Sequence, residues 1–370
     1  MTIDVRDRPG PNPAGASRLA IADCDIHQSP KLGMRGLYPY LEQRWQAHLE
    51  AFGPIPRQAF QTGPAYPKGQ PDASRRDAWP PGGGRPGSDL DFLRTHHLDA
   101  NGITLGVLNM IRPHPGSFQN GHLADAVCQA MNRWQVAEWT QPEPRLKGSL
   151  LVPYEDGEAS AREIERWAGH PDYVQVLLLS RTAEPLGQAR YWPIYRAATE
   201  AGLPVGIHAF GFGGFPVSGS GWPSFYLEDM VGHAQSCQAM LTSMVFEGIF
   251  ERFPGLRVVL IEAGFAWLPA LCWRLDRLWA RLRVETPWCR RPPSEYIRES
   301  VWLTSQPMEE PEPRLRVLDA IDWIGWDRLL FATDYPHWDY DDPAMVLPQG
   351  VDPAQRQAFF LDNARRVYGR

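Results

Sequence analysis

A chain of 370 residues, 43% of them hydrophobic, is long enough to bury a complete barrel core in one domain. A net charge of −6 without any lysine or arginine block argues against nucleic acid or an anionic membrane surface as partner. No run of 18 apolar residues is present to span a bilayer, and five scattered cysteines without a CxxC pair argue against a disulfide framework and for a reducing cytoplasm.

Residues 1–17 carry charges and prolines where a signal peptide needs an apolar core, and they read as a flexible leader to a single domain over 18–370. From there, short apolar runs alternate with amphipathic stretches, the pattern of a parallel sheet with crossover helices. Strands are expected at 19–27, 103–110, 147–152, 174–179, 204–209, 256–261, 300–304 and 328–334. Several of these runs (VQVLLL, LRVVLI, RLLFA) are continuously apolar, as strands covered on both faces require. Helices are expected at 123–139, 158–167, 192–201, 228–253, 266–284, 313–324 and 353–368, where apolar residues recur at three- and four-residue spacing. Eight strands followed by helices favour a closed (β/α)8 TIM barrel over an open sheet, and no internal repeat is visible. Two long insertions interrupt the pattern: 28–102 after strand one, an inserted cap or loop region with the tract AWPPGGGRPGSD, and 210–227 after strand five. Both follow a strand, which puts them on the face where barrel active sites lie.

The chemistry gathers at strand ends. In Asp23-Cys24-Asp25-Ile26-His27, alternation points residues 23, 25 and 27 together, and three ionisable groups closing an apolar strand are costly without a cation. His208 ends the apolar strand-five run and Asp334 ends Leu-Leu-Phe-Ala-Thr-Asp on strand eight. Either alone is as easily a packed histidine or a helix cap. A barrel, however, brings the same ends of strands one, five and eight into one pocket, and imidazole with carboxylate is the ligand set of zinc, manganese or iron.

As a set, Asp25-Ile-His27, His208 and Phe331-Ala-Thr-Asp334-Tyr-Pro-His337-Trp338-Asp339 resemble the amidohydrolase-related (amidohydrolase 2) family. That family lies within the metal-dependent hydrolase superfamily, near the aminocarboxymuconate-semialdehyde decarboxylase group. The resemblance runs from about residue 19 to the closing Asn363-Ala-Arg-Arg-Val-Tyr368, and it implies that Asp25, His27, His208 and Asp334 hold a divalent ion. The sequence departs from the family pattern in three places. Asp25 stands where many relatives have histidine, and strand four ends Leu179-Ser180-Arg181 with no lysine to bridge two metals. Glu262 stands where the decarboxylase group has a histidine, and it is a further candidate ligand or proton shuttle.

Around this core, His233 and His337 are candidate acid/base groups, because imidazole titrates near neutral pH. Arg181 is placed to clamp a substrate carboxylate. Phe212, Phe215, Trp222, Tyr335 and Trp338 are expected to line the pocket. With one ion, the site suits non-oxidative decarboxylation or hydrolysis of a small, carboxylate-bearing molecule. With two ions, Asp23 and Glu262 become ligands as well, an oxygen-rich set suited to iron or manganese, and the resemblance, which extends to a few family members that are dinuclear non-haem oxygenases, implies a monooxygenase as the alternative. A catalytically idle barrel subunit is a third reading. A homodimer or other small oligomer, including one with a related barrel subunit, is the expected assembly.

Overall fold

The computed structural model describes residues 19–54, 71–211, 216 and 218–369; the leader lies outside them. Eight strands run in chain order around one sheet: β1 (Ile21–Ile26), β2 (Ile103–Leu108), β3 (Leu146–Leu151), β4 (Tyr173–Arg181), β5 (Val205–Gly211), β6 (Val258–Ile261), β7 (Val301–Thr304) and β8 (Leu329–Leu330). Each pairs in parallel with the next. Cys24 N–H donates to the Phe331 carbonyl at 2.9 Å and His27 N–H to that of Tyr335 at 2.7 Å, which closes β1 onto the chain leaving β8. The fold is a (β/α)8 barrel, and its core fills with the apolar runs visible in the sequence, such as Val176, Leu177, Leu178 and Leu179 on β4, all fully buried.

The helices over 121–135, 157–167, 192–200 and 268–282 fall where the periodicity predicts them. Others differ. The expected helix 228–253 breaks into Tyr226–Phe246 and Ile249–Arg252, because Gly248 turns the chain at φ +75°. A helix over Pro293–Ser300 has no counterpart in the sequence reading. The described part of 28–102 is also not structureless: it holds a 3-10 turn at Gly33–Tyr40 and helices at Gln43–Phe52 and Leu90–Leu93, the last continuing as a π-helix through Asp99.

The regular part of β8 is only two residues long, against the seven expected. Thr333 N–H, which would continue the ladder, goes to the Asp23 carboxylate at 2.9 Å, and Asp334 turns into the left-handed region at φ +63°. The ladder resumes with Asp334 N–H on the Asp25 carbonyl at 3.1 Å. This bulge lifts Asp334 out of the strand plane at the rim of the barrel.

The insertion is tied to the barrel wall through Glu143. Its buried carboxylate accepts from Arg145 Nε and Arg94 Nε at 2.9 and 3.0 Å, and the Arg145 guanidinium beside it holds its carboxyl down at about 2. We expect Glu143→Gln to cost about 1–3 kcal/mol, since Arg94 and Arg145 each lose a buried charged acceptor and keep only the more exposed Asp91 and Asp99; chemical denaturation at neutral pH measures it.

Candidate metal centre

Asp25 and His27 leave the end of β1, His208 stands on β5, Glu262 follows β6 and Asp334 follows β8. All five are buried. His27 Nε2 lies 3.2 Å from Asp25 Oδ1 and 2.9 Å from Asp334 Oδ1; His208 Nε2 lies 3.5 Å from Asp25 Oδ2 and 3.0 Å from Glu262 Oε2. Donors bound at about 2.1 Å to one ion, at roughly 90–110° to one another, stand about 3.0–3.4 Å apart. Two overlapping groups bring one ligand atom from each residue within 4.8 Å of one another: Asp25, His27, His208 and Glu262, and His27, Glu262, Asp334 and His337.

The tautomers agree with ligation. His27 Nδ1 donates to the Asn109 carbonyl at 2.6 Å, and His208 Nδ1 to the Ala209 carbonyl at 2.7 Å. Each ring therefore turns its Nε2 lone pair inward, where neither nitrogen nor Asp25 Oδ2 has a hydrogen-bond partner. Buried acceptors facing buried carboxylates need a positive charge between them.

The electrostatics carry the same message. Burial opposes charge on His27 and His208, yet the Asp25 carboxylate, joined by Asp334 at His27 and Glu262 at His208, drives both rings up to about 10. Against burial, those imidazoles hold the carboxyls of Asp25 and Glu262 well below the usual range. Burial and the charges of Glu262 and Asp339 push the Asp334 carboxyl well up. Without a metal, the site takes up protons on His27 and His208; a divalent ion supplies the same two charges.

Below the centre lies a polar layer that the sequence reading did not identify. Asn109, just past β2, donates to Asp25 Oδ1 at 2.9 Å while its carbonyl orients His27. Its own side-chain oxygen accepts from Ser149 on β3 at 2.6 Å and Gln175 on β4 at 3.0 Å. Asn109 closes an apolar run as His208 does, and that terminal polar position was the signal for it.

The remaining expected residues divide. His337 Nδ1 meets Asp334 Oδ1 at 2.6 Å, and burial with the His27 charge takes its ring down to about 3. His233, on the helix after β5, faces Glu262 Oε1 at 3.3 Å. Arg181 ends β4 against Asp229 at 3.6 Å. Trp222 and Trp338 are partly exposed, and Trp338 donates to Tyr226 at 3.2 Å. Phe212 and Phe215 lie outside the described residues.

Two expectations need correction. Asp23 joins neither donor group: its oxygens receive Thr333 N–H and hydroxyl at 2.9 and 2.6 Å, Asp25 N–H at 3.2 Å and His97 at 2.8 Å. Its register shifts between Asp23 and Ile26, so simple alternation fails there. Tyr335 does not line the pocket, because it is buried flat on His97 with ring centroids 4.3 Å apart.

Asn109→Ala removes the group that seats Asp25, and we expect it to weaken divalent-metal binding about 10–100-fold with the fold retained, as measured by metal titration. In the segment after β8, Asp341 accepts Met308 N–H at 2.9 Å, and burial raises its carboxyl to about 7. A raised acid pKa favours the folded state at low pH and loses that advantage as pH climbs from about 4 to about 7. The Asp341→Asn protein is therefore expected to melt above the parent at pH 8, by a margin that narrows steadily as pH is lowered towards 4.

A model of the amidohydrolase family matches residues 22–370. The gamma-resorcylate decarboxylase of Polaromonas sp. is 24% identical over 297 residues, covering 76% of this chain and 87% of the relative. The 2-amino-3-carboxymuconate-6-semialdehyde decarboxylase of Dictyostelium discoideum is 24% identical over 260 residues, 66% of each. Among solved structures, a dihydroxybenzoic acid decarboxylase from Polaromonas sp. with bound manganese and 2-nitroresorcinol superposes with a TM-score of 0.65 at 19% identity, covering 95% of this chain and 97% of that one. A manganese complex of 5-carboxyvanillate decarboxylase from Novosphingobium aromaticivorans gives a TM-score of 0.68 at 19% identity, covering 95% and 96%.

Proposed function

The chain belongs to the amidohydrolase family, and from that premise we propose that it is a metal-dependent carboxy-lyase removing carbon dioxide, without oxidation, from a small aromatic or related organic acid. The observation that carries this reading is the buried convergence of the inward-facing nitrogens of His27 and His208 on the carboxylates of Asp25, Asp334 and Glu262. The decarboxylase relatives named above support the reaction type.

Asp25, His27, His208 and Asp334 would hold one divalent ion, with Glu262 as a further donor. The two donor groups share His27 and Glu262, and one imidazole nitrogen serves one ion, which favours a single manganese, zinc or iron over a dinuclear site. When bound, such an ion supplies a Lewis acid that draws electron density from a substrate oxygen.

The protein's own part is the proton. As the bond to the carboxylate carbon breaks, its electron pair stays on the remaining carbon and must be met by a proton while carbon dioxide departs. Asp334, whose carboxyl is raised by burial and by the neighbouring charges of Glu262 and Asp339, would deliver that proton, and the neutral His337 ring, with Nδ1 2.6 Å from Asp334 Oδ1, orients it. Hydrolysis would need the same residues to activate water instead. Assembly as a homodimer or small oligomer belongs to the proposal too, supported by Trp273, Leu278 and Leu282 standing exposed on one helix.

Manganese-loaded protein incubated with a panel of hydroxybenzoates is expected to release one carbon dioxide per arene formed, with no oxygen uptake. His208→Ala and Asp334→Asn should each lose at least about a hundredfold in rate, with metal loss in the first. Full activity in metal-free protein, or product formed only with oxygen consumption, rejects the reading.

A further inference from the structure

The metal centre opens on a cavity of about 60 Å³ bordered by His27 and His337 on one side and by Arg85 and Arg112 on the other. That volume takes little more than one small polar group. Ser29, Arg85 and Arg112 also border a second, larger chamber of about 300 Å³. The two spaces therefore share one neck.

The neck is cationic. Asp72 lies 3.9 Å from Arg112 and 4.0 Å from Arg85, so one carboxylate stands against two guanidinium groups. Arg112 also lies over the Phe210 ring, 5.7 Å from its centroid. The chamber beyond is of opposite character, with Met34, Pro113 and Phe118 among its walls. The one imidazole there, His114, is neutral: its Nδ1 accepts Gly116 N–H at 3.2 Å, and burial takes the ring down to about 3. A net positive neck between a metal centre and an uncharged apolar chamber fits an amphiphile.

We propose that this chamber is a substrate subsite, and that the substrate is an organic acid with an apolar extension beyond a single ring. Its acid group is held at the neck by Arg112 and Arg85, and its apolar part fills the chamber beside Met34 and Phe118. The proposal rests on the reading of the metal centre as one that binds an organic acid.

Calorimetry on manganese-loaded protein with benzoate and 4-butylbenzoate tests it. Burial of the butyl chain is expected to make 4-butylbenzoate bind at least about tenfold more tightly. Met34→Trp, which fills the chamber, should cut that ratio below about threefold, and Phe118→Ala, which strips one wall, should lower it as well. Arg112→Gln should weaken both ligands by about tenfold or more. Manganese content of each variant reports whether the centre is intact. Equal affinity of the two ligands, no binding of either, or an unchanged ratio in both chamber variants overturns the subsite. Because the readout is binding, a protein that prefers 4-butylbenzoate but releases carbon dioxide from no hydroxybenzoate keeps the subsite and loses the decarboxylase reading.

Discussion

Asp25, Glu262 and Asp334 are buried against the imidazoles of His27 and His208, and no arrangement of these five groups is stable without positive charge among them. Much of the surrounding structure serves that requirement. The carbonyls of Asn109 and Ala209 fix both rings with Nε2 inward. Both Glu262 and Asp334 sit at positive φ, +57° and +63°, a backbone conformation that costs about 1–3 kcal/mol each and persists only where neighbours impose it. Thr304 imposes it on Glu262 by accepting its N–H at 3.1 Å.

Asp23 does for Asp334 what Thr304 does for Glu262, from farther away. It draws Thr333 out of the β8 ladder by both N–H and hydroxyl, and the hydroxyl in turn accepts Tyr335 N–H at 3.1 Å. Because Asp23 also holds His97, the inserted segment after β1 and the strand-eight rim are tied to one carboxylate. The closing seam of the barrel and the geometry of the centre are thus the same set of hydrogen bonds.

The eight strands were legible because parallel strands covered on both faces leave uninterrupted apolar runs, and their ionisable ends stand out against them. Asp25, His27, His208 and Asp334 stood out as candidates on that contrast, once a barrel was assumed to gather the strand ends and the family resemblance was added. Asp23 was misread because its partners, Thr333 and His97, lie 310 and 74 positions away, and alternation along one strand says nothing of them. Tyr335 looked like pocket lining for the same reason: the ring it stacks on comes from the insertion. Helices at Gly33–Tyr40 and Gln43–Phe52 escaped notice because few of their residues are buried, leaving a weak apolar stripe. Arg85 and Arg112 carried no sequence signal at all, since a guanidinium on a loop becomes informative only beside a cavity.

The chamber past Arg112 draws Met34 from the segment after β1 and Pro113 and Phe118 from the segment after β2, whereas the ion's candidate donors come from β1, β5 and the turns after β6 and β8. On the proposed subsite, what the molecule accepts and what it does to it are therefore written in separate stretches of chain. Drift or deliberate exchange in two surface segments can retune the first while the second stays untouched, a division of labour that lets one reactive centre be inherited by enzymes with very different appetites.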